Sequence, residues 1–94
     1  MSIGMLTLFL HLPDCRSLKD KRSRIKPILA RLQREFNVST AELDQQDSWQ
    51  SSVIGCVTLS SDAAQNQRLL QQVVDFTTRS WPEVEILKHR IENI

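Results

Sequence analysis

The sequence predicts an α+β domain in which a four-stranded antiparallel sheet carries two helices on one face. Three observations predict it. Apolar residues alternate with a period of two near the N-terminus, two later segments carry apolar residues at helical spacing, and the predicted elements follow the order β-α-β-β-α-β. With 94 residues the chain can form one hydrophobic core, so residues 1–94 are expected to be a single domain.

The N-terminal third is predicted to form a strand and then a helix. The strand covers residues 3–12, and the leucines of its core face are Leu6, Leu8, Leu10 and Leu12. The helix is predicted to begin at Ser17, with Asp20 three residues later as a variant of the capping box. Its apolar stripe consists of Leu18, Ile25, Leu29, Leu32 and Phe36. Pro27 lies within this helix and is expected to bend it.

The rest of the chain completes the predicted sheet. A second strand is expected over residues 37–44, a polar turn over 45–50 and a third strand over 51–60. The second helix is capped by Asp62 or Ser61 and ends near Ser80, and a fourth strand covers residues 83–91. This order of elements is that of the ferredoxin-like fold, whose second sheet face carries no helix.

That second face is predicted to be apolar, and an apolar sheet face needs a cover. A second copy of the chain is the simplest candidate, by isologous packing. The sequence thus predicts a homodimer face made of Met5, Phe9, Ile54 and Cys56.

Positive charge is concentrated in the first helix. Between Cys15 and Arg34 there are eight basic residues and one acid, a net charge of +7, whereas the remaining four bases and ten acids give −6. Two interpretations are open, a solvated helix face and a binding site for an anion or RNA phosphate. Cations in the first helical turns oppose the helix dipole, and a bound anion would reverse that cost. The candidate anion-binding residues are Arg16, Ser17, Lys19, Lys21, Arg22, Arg24 and Lys26.

The polar turn offers a second candidate site, made of Asp47, Trp49 and Gln50. An exposed tryptophan in a hairpin could anchor a protein partner. The alternative, which we favour from the sequence, is that Trp49 folds back over the end of the core while Asp47 caps the turn.

Enzymatic and metal chemistry find little support. His11, Cys15, Cys56 and His89 lack the close spacing of zinc ligands, so no metal and no cofactor is predicted. Cys15 beside Arg16 has a setting that can lower a thiol pKa, but no histidine is placed to serve it. An acylphosphatase-like hydrolase using the loop from Leu12 to Arg16 is the enzyme alternative, although that loop has no glycine.

Several segments together resemble one bacterial family. They are His11-Leu12-Pro13, the run from Arg16 to Arg22 (Arg-Ser-Leu-Lys-Asp-Lys-Arg), the segment from Phe36 to Glu42, and Gln46-Asp47-Ser48-Trp49-Gln50. This combination resembles the YlxP-like family, small proteins with a domain of unknown function. The resemblance implies a ferredoxin-like fold. It also implies a link to translation, because the family's genes often lie beside those for translation initiation factor two and ribosome-binding factor A. Pro27 and the pair Ser61-Asp62 depart from the family's habit.

Three functional hypotheses follow from the sequence. The first is a non-enzymatic factor that binds RNA phosphates, with ribosomal RNA or a ribosomal subunit as partner, through its basic first helix. The second is a homodimeric protein-interaction module that uses the open sheet face and the turn around Trp49. The third is the hydrolase. The longest apolar stretch is too short to span a bilayer and does not have the pattern of a signal peptide, and the two cysteines are not a disulfide framework, so a cytoplasmic protein is expected.

Overall fold

A computed structural model describes residues 1–45 and 47–94 of the chain. Its elements are β1 (Ser2–His11), α1 (Leu18–Glu35), β2 (Ser39–Asp44), β3 (Ser51–Ser60), α2 (Ala63–Ser80) and β4 (Glu85–Asn93). The predicted order β-α-β-β-α-β is therefore confirmed. The bounds of β3 agree with the prediction, whereas β2 begins two residues later, at Ser39, and β4 begins at Glu85 instead of residue 83.

The strands form one antiparallel sheet in the order β2-β3-β1-β4, which is the ferredoxin-like arrangement. Both helices pack against the same sheet face. The core lies between them and the central strand β1, whose residues Leu6, Leu8 and Leu10 are buried together with Leu70 and Val73 of α2. The leucine face of β1 was therefore predicted correctly.

Both helices begin at the capping residues that the sequence indicates. Ser17 has an extended backbone, and its hydroxyl accepts a hydrogen bond from the backbone N–H of Asp20. Asp62 caps α2 by accepting from the backbone N–H of Ala64. Helix α1 continues through Pro27, whose ring nitrogen cannot donate to the carbonyl of Ser23.

The composition of the open sheet face differs from the prediction. Ile54 and Cys56 were expected there, but both are fully buried beneath the helices. The register explains the error, because Ile54 lies opposite Leu8 and Cys56 opposite Leu6, and directly paired residues share a face of the sheet. We use "open sheet face" for the surface on the other side, whose apolar residues are Ile3, Met5, Phe9, Leu43, Val53, Val57, Leu59 and Leu87.

Candidate nucleic-acid interface

The basic residues of α1 divide into three groups according to where the fold places them. Lys21 belongs to the interior, with 1% of its surface exposed. Its Nζ atom lies 3.2 Å from a carboxylate oxygen of Glu42 and donates hydrogen bonds to the carbonyl oxygens of Gln45 and Ser51. Lys21 therefore cannot bind an external anion, and its assignment to the anion site was wrong.

The position of Lys21 on the helix explains its burial. The buried residues of α1 are Lys21, Ile25, Ile28 and Leu32, which follow one another at intervals of three or four residues. Lys21 thus stands on the apolar stripe, and its ammonium group needs a carboxylate and carbonyl oxygens because a buried charge without partners is costly. The helical spacing to Ile25 was visible in the sequence and could have revealed this.

The second group consists of arginines that already have partners. The Nε atom of Arg24 lies 3.6 Å from Asp20, and that of Arg31 lies 4.0 Å from Glu35. The Arg31 guanidinium also lies over two aromatic rings, 5.1 Å from the centre of the Phe76 ring and 5.8 Å from that of Trp81. Because each of these arginines already has an acid partner, it adds less than an unpaired cation to an external cationic surface.

The third group is a set of cations on the outer side of α1. Lys19, Arg22 and Lys26 are exposed, and none of them makes an ion pair within residues 1–45 and 47–94. At 3.6 residues per turn they fall within about 60° of one another, and neighbouring members lie about 4.5–6 Å apart along the helix axis. We call this group the cationic face. Arg16 before the helix and Arg34 near its end are exposed as well.

The start of α1 is already occupied by protein groups. Ser17 acts as the helix cap and so is not an anion ligand. The carboxylate of Asp20 accepts a hydrogen bond from the backbone N–H of Arg16 at 3.1 Å and faces Arg24. An anion at the helix N-terminus would therefore meet an acid, which favours contact along the side of the helix.

The turn between β2 and β3 packs against the start of α1. The side-chain amide of Gln50 donates to the carbonyl oxygens of Pro13 and Cys15, at 3.1 and 3.3 Å. The backbone carbonyl of Gln50 in turn accepts from the N–H of Leu12. Gln50, expected to contact a partner, instead joins the turn to the loop before α1. The two most characteristic sequence segments thus form a single structural unit.

Trp49 lies on the outside of this turn, with 55% of its surface exposed. The favoured prediction that it covers the end of the core was wrong. Hydrogen bonds from neighbouring residues explain this exposure. Lys21 donates to the carbonyls of Gln45 and Ser51 from the interior, and Gln50 donates to the carbonyl of Cys15, so the turn is fixed with Trp49 on its outer side. Asp47 is exposed in the same turn, and Gln46 lies outside the described residues.

The thiols do not support nucleophilic chemistry. Cys15 and Cys56 are both buried and unbonded to each other. Burial raises the pKa of the Cys15 thiol above its usual value, and it raises that of Cys56 to about 12. The setting beside Arg16, which can lower a thiol pKa, does not lower that of Cys15, because loss of hydration outweighs the nearby positive charges. In the part of the chain that the structure describes, no cluster of three metal-ligating residues occurs and no helix is long and apolar enough to cross a membrane.

Comparisons with known proteins place the chain in a family. The family described as "Protein of unknown function (DUF503)" matches residues 3–91. The "Uncharacterized protein YlxP" of Bacillus subtilis (strain 168) is 44% identical over 72 residues, which are 77% of each chain. The de novo designed protein Foldit4 shares the fold, with a TM-score of 0.55 and 14% identity over 100% of this chain and 97% of that one. The chain therefore belongs to the DUF503 family of proteins of unknown function.

Proposed function

We propose that this protein binds the phosphate backbone of single-stranded RNA along the cationic face of α1. The observation that supports the proposal most is that Lys19, Arg22 and Lys26 are exposed on one side of the helix and make no ion pair with any carboxylate of the described residues. A helix surface that faces only water gains stability when acidic and basic residues lie three or four positions apart, because such residues form ion pairs. A polyanion supplies the missing negative charge and gains entropy by releasing its counterions.

Trp49 favours an unpaired strand over a duplex. Its indole is more than half exposed, and the turn that carries it is fixed to the start of α1 through Gln50 and Lys21. A base stacked on an exposed aromatic side chain contributes about 1–3 kcal/mol, whatever the base, whereas the bases of a duplex are not free to stack in this way. Phosphates on the cationic face and a base on Trp49 would together hold a short strand.

The open sheet face is a poor surface for stacking bases. Its aromatic residue is Phe9, and the Nζ atom of Lys88 already lies 4.5 Å from the centre of that ring. We therefore place the RNA on the helix and the turn. Recognition would depend on phosphate positions and strand flexibility, without reading base edges.

The protein is proposed to act without catalysis, as a factor associated with the translation apparatus. The resemblance of the sequence to the YlxP-like family makes ribosomal RNA the first RNA to examine. The raised pKa of the buried Cys15 thiol argues against nucleophilic catalysis by that cysteine, because a neutral thiol that is closed off from solvent is a poor nucleophile.

The proposal can be tested with charge-neutralising pairs. We expect Arg22→Gln combined with Lys26→Gln to weaken binding of a fluorescent oligo(U) about tenfold in an anisotropy titration at low salt. The control is Arg68→Gln combined with Arg79→Gln, which removes the same charge from exposed positions of α2 and should change affinity less than about twofold. Equal losses in the two pairs would mean that only the total charge matters, and no loss in either would exclude the cationic face.

Tryptophan fluorescence tests the stacking contact separately. The chain has two tryptophans, so Trp81→Phe leaves Trp49 as the only reporter. We expect oligo(U) to quench that emission and Trp49→Ala to weaken binding about fivefold to a hundredfold, in line with a stacking contribution of about 1–3 kcal/mol. If neither occurs while the affinity still depends on Arg22 and Lys26, Trp49 does not contact RNA, and its exposure fits an anchor for a protein partner instead.

A further inference from the structure

The open sheet face is a large apolar surface for such a small protein. Leu43, Val57, Leu59 and Leu87 are 45%, 39%, 59% and 63% exposed. β1, β2, β3 and β4 contain 10, 6, 10 and 9 residues, so at about 3.3 Å per residue and about 4.8 Å per strand the face covers about 550 Å². This flat area, which does not count the relief of the side chains, is about two thirds of the about 800 Å² that each partner of a standard protein interface buries.

The two ends of this face differ, and they lie equally far from its midpoint. Thr7 and Gly55 are paired at the centre of β1 and β3. Four residues away along β3 in one direction stands Leu59, and four residues away in the other stands Ser51. Leu59 projects from the surface at its end, whereas Ser51 helps to line a depression at the other end.

The depression has the size and lining to accept an apolar side chain. Its volume is about 200 Å³, and its walls include Phe9, Val53 and Leu87 as well as Ser51. A two-fold rotation about an axis between two facing sheets, perpendicular to the strands at Thr7, brings position 59 of one copy opposite position 51 of the other. Leu59 would then enter the depression of its partner, and this contact would form twice.

The same rotation matches residues elsewhere on the face. Met5 and Phe9 lie two residues on either side of Thr7, so the rotation brings Met5 opposite Phe9 of the second copy, beside the Lys88 ammonium that lies 4.5 Å from the centre of that ring. On β4, Glu92 lies opposite Met5 and Lys88 lies opposite Phe9. Lys88 of each copy therefore comes opposite Glu92 of the other, and the charges at that rim are complementary.

On β4, Arg90 meets its own counterpart at the axis, as Thr7 does on β1 and Gly55 on β3. Its Nε atom lies 3.0 Å from a carboxylate oxygen of Glu92, the same acid that faces Lys88 of the other copy, so Glu92 offsets part of the positive charge at this edge. Arg90 is 59% exposed in the single chain and lies on the edge strand, so its long side chain can turn away from the axis and keep the guanidinium in water.

We infer that the open sheet face binds a second copy of this chain, about a two-fold axis perpendicular to the strands at the level of Thr7. The dimer buries the two sheets against each other and leaves both α1 helices on the outside. This inference concerns a surface separate from the proposed RNA site, so either can fail without the other.

Sedimentation equilibrium of the full chain tests the inference directly. We expect a mass of twice the chain at micromolar concentration. Leu59→Asp and Leu87→Asp each alter a residue that is more than half exposed, so the fold should survive while the dimer dissociation constant rises about a hundredfold or more. Ala64→Asp on the exposed side of α2 is the matched control and should remain dimeric. A monomeric wild-type chain, or a dimer unaffected by both face variants, would overturn the inference.

A charge exchange tests the direction of the axis. Lys88→Glu places like charges opposite Glu92 of the partner twice, and we expect it to weaken the dimer about tenfold. Adding Glu92→Lys should restore most of the affinity, because the pair is then reversed with both signs retained. If the double variant is as weak as the single one, the two residues do not face each other and the proposed axis is wrong.

Discussion

At the scale of single residues, Lys21 has the largest effect on the candidate site. It occupies a core position of α1, and its Nζ atom contacts Glu42 and the carbonyls of Gln45 and Ser51. We expect Lys21→Met to lower the free energy of unfolding by about 2–4 kcal/mol, because those oxygens lose a buried charged partner.

Urea denaturation measures that effect, and Arg22→Met is its matched control. Arg22 is the next residue, but it is exposed and unpaired within the described chain, so its replacement should change stability by less than about 0.5 kcal/mol. Similar losses in the two variants would contradict the internal position of Lys21.

Thr7 is buried at the centre of the sheet with a hydroxyl that has no hydrogen-bond partner within the described residues. We expect Thr7→Val to raise the free energy of unfolding by up to about 1 kcal/mol, because a methyl group of the same shape removes an unsatisfied polar atom. Thr77 provides the comparison, since its buried hydroxyl donates to the carbonyl of Val73 at 2.7 Å. Thr77→Val should not stabilise the protein, and a gain only at Thr77 in thermal melts would contradict this account.

The burial of Cys56 makes the free energy of unfolding depend on pH in the alkaline range. Burial raises the pKa of its thiol to about 12 from a model-compound value of 9.0. The folded state therefore keeps a proton on this thiol that the unfolded chain loses. The contribution of the thiol to the free energy of unfolding is complete below pH 9.0 and is lost as the pH rises towards about 12. The slope approaches about 1.4 kcal/mol per pH unit. Urea titrations between these limits should show a shallower decline for Cys56→Ala, and identical slopes would contradict the burial.

At the scale of elements, the features that depend on the local sequence pattern, such as the helix caps, were predicted correctly. Ser17 and Asp62 cap their helices because their side-chain oxygens accept from nearby N–H groups, and both could be recognised by residue type and spacing. The face of β3 could not be recognised, because both faces are apolar and only the pairing of Ile54 with Leu8 decides between them. Likewise, whether Trp49 is exposed depends on contacts from Lys21 and Gln50, which come from distant parts of the chain.

Replacing Pro27 tests how this residue affects the stability of α1. It lies within the helix and is exposed, and it deprives the carbonyl of Ser23 of its normal partner. We expect Pro27→Ala to raise the free energy of unfolding by about 1–3 kcal/mol and to add helical signal in circular dichroism. Lys26→Ala tests whether a neighbouring alanine alone has this effect and should be nearly neutral. A loss of stability in Pro27→Ala would show that the proline supports the helix.

At the scale of the whole molecule, the fold distributes the basic residues of α1 between the interior, ion pairs and one exposed surface. The run of eight basic residues between Cys15 and Arg34 suggested a uniformly basic helix. The fold removes Lys21 to the interior and pairs Arg24 and Arg31 with acids. What remains is the cationic face of α1, whose members make no ion pair within the described residues. Composition could indicate the excess charge, but only the folded structure shows which cations are left for a partner.

The salt dependence of RNA binding tests this central claim most directly. For the wild-type chain, the slope of log K against log salt concentration with oligo(U) should be about −2, which corresponds to about three phosphates at about −0.7 each. Neutralising Arg22 and Lys26 together should reduce the magnitude of that slope by about 1.4. A wild-type slope near zero, or a slope that is unchanged in the neutralised variant, would contradict the account.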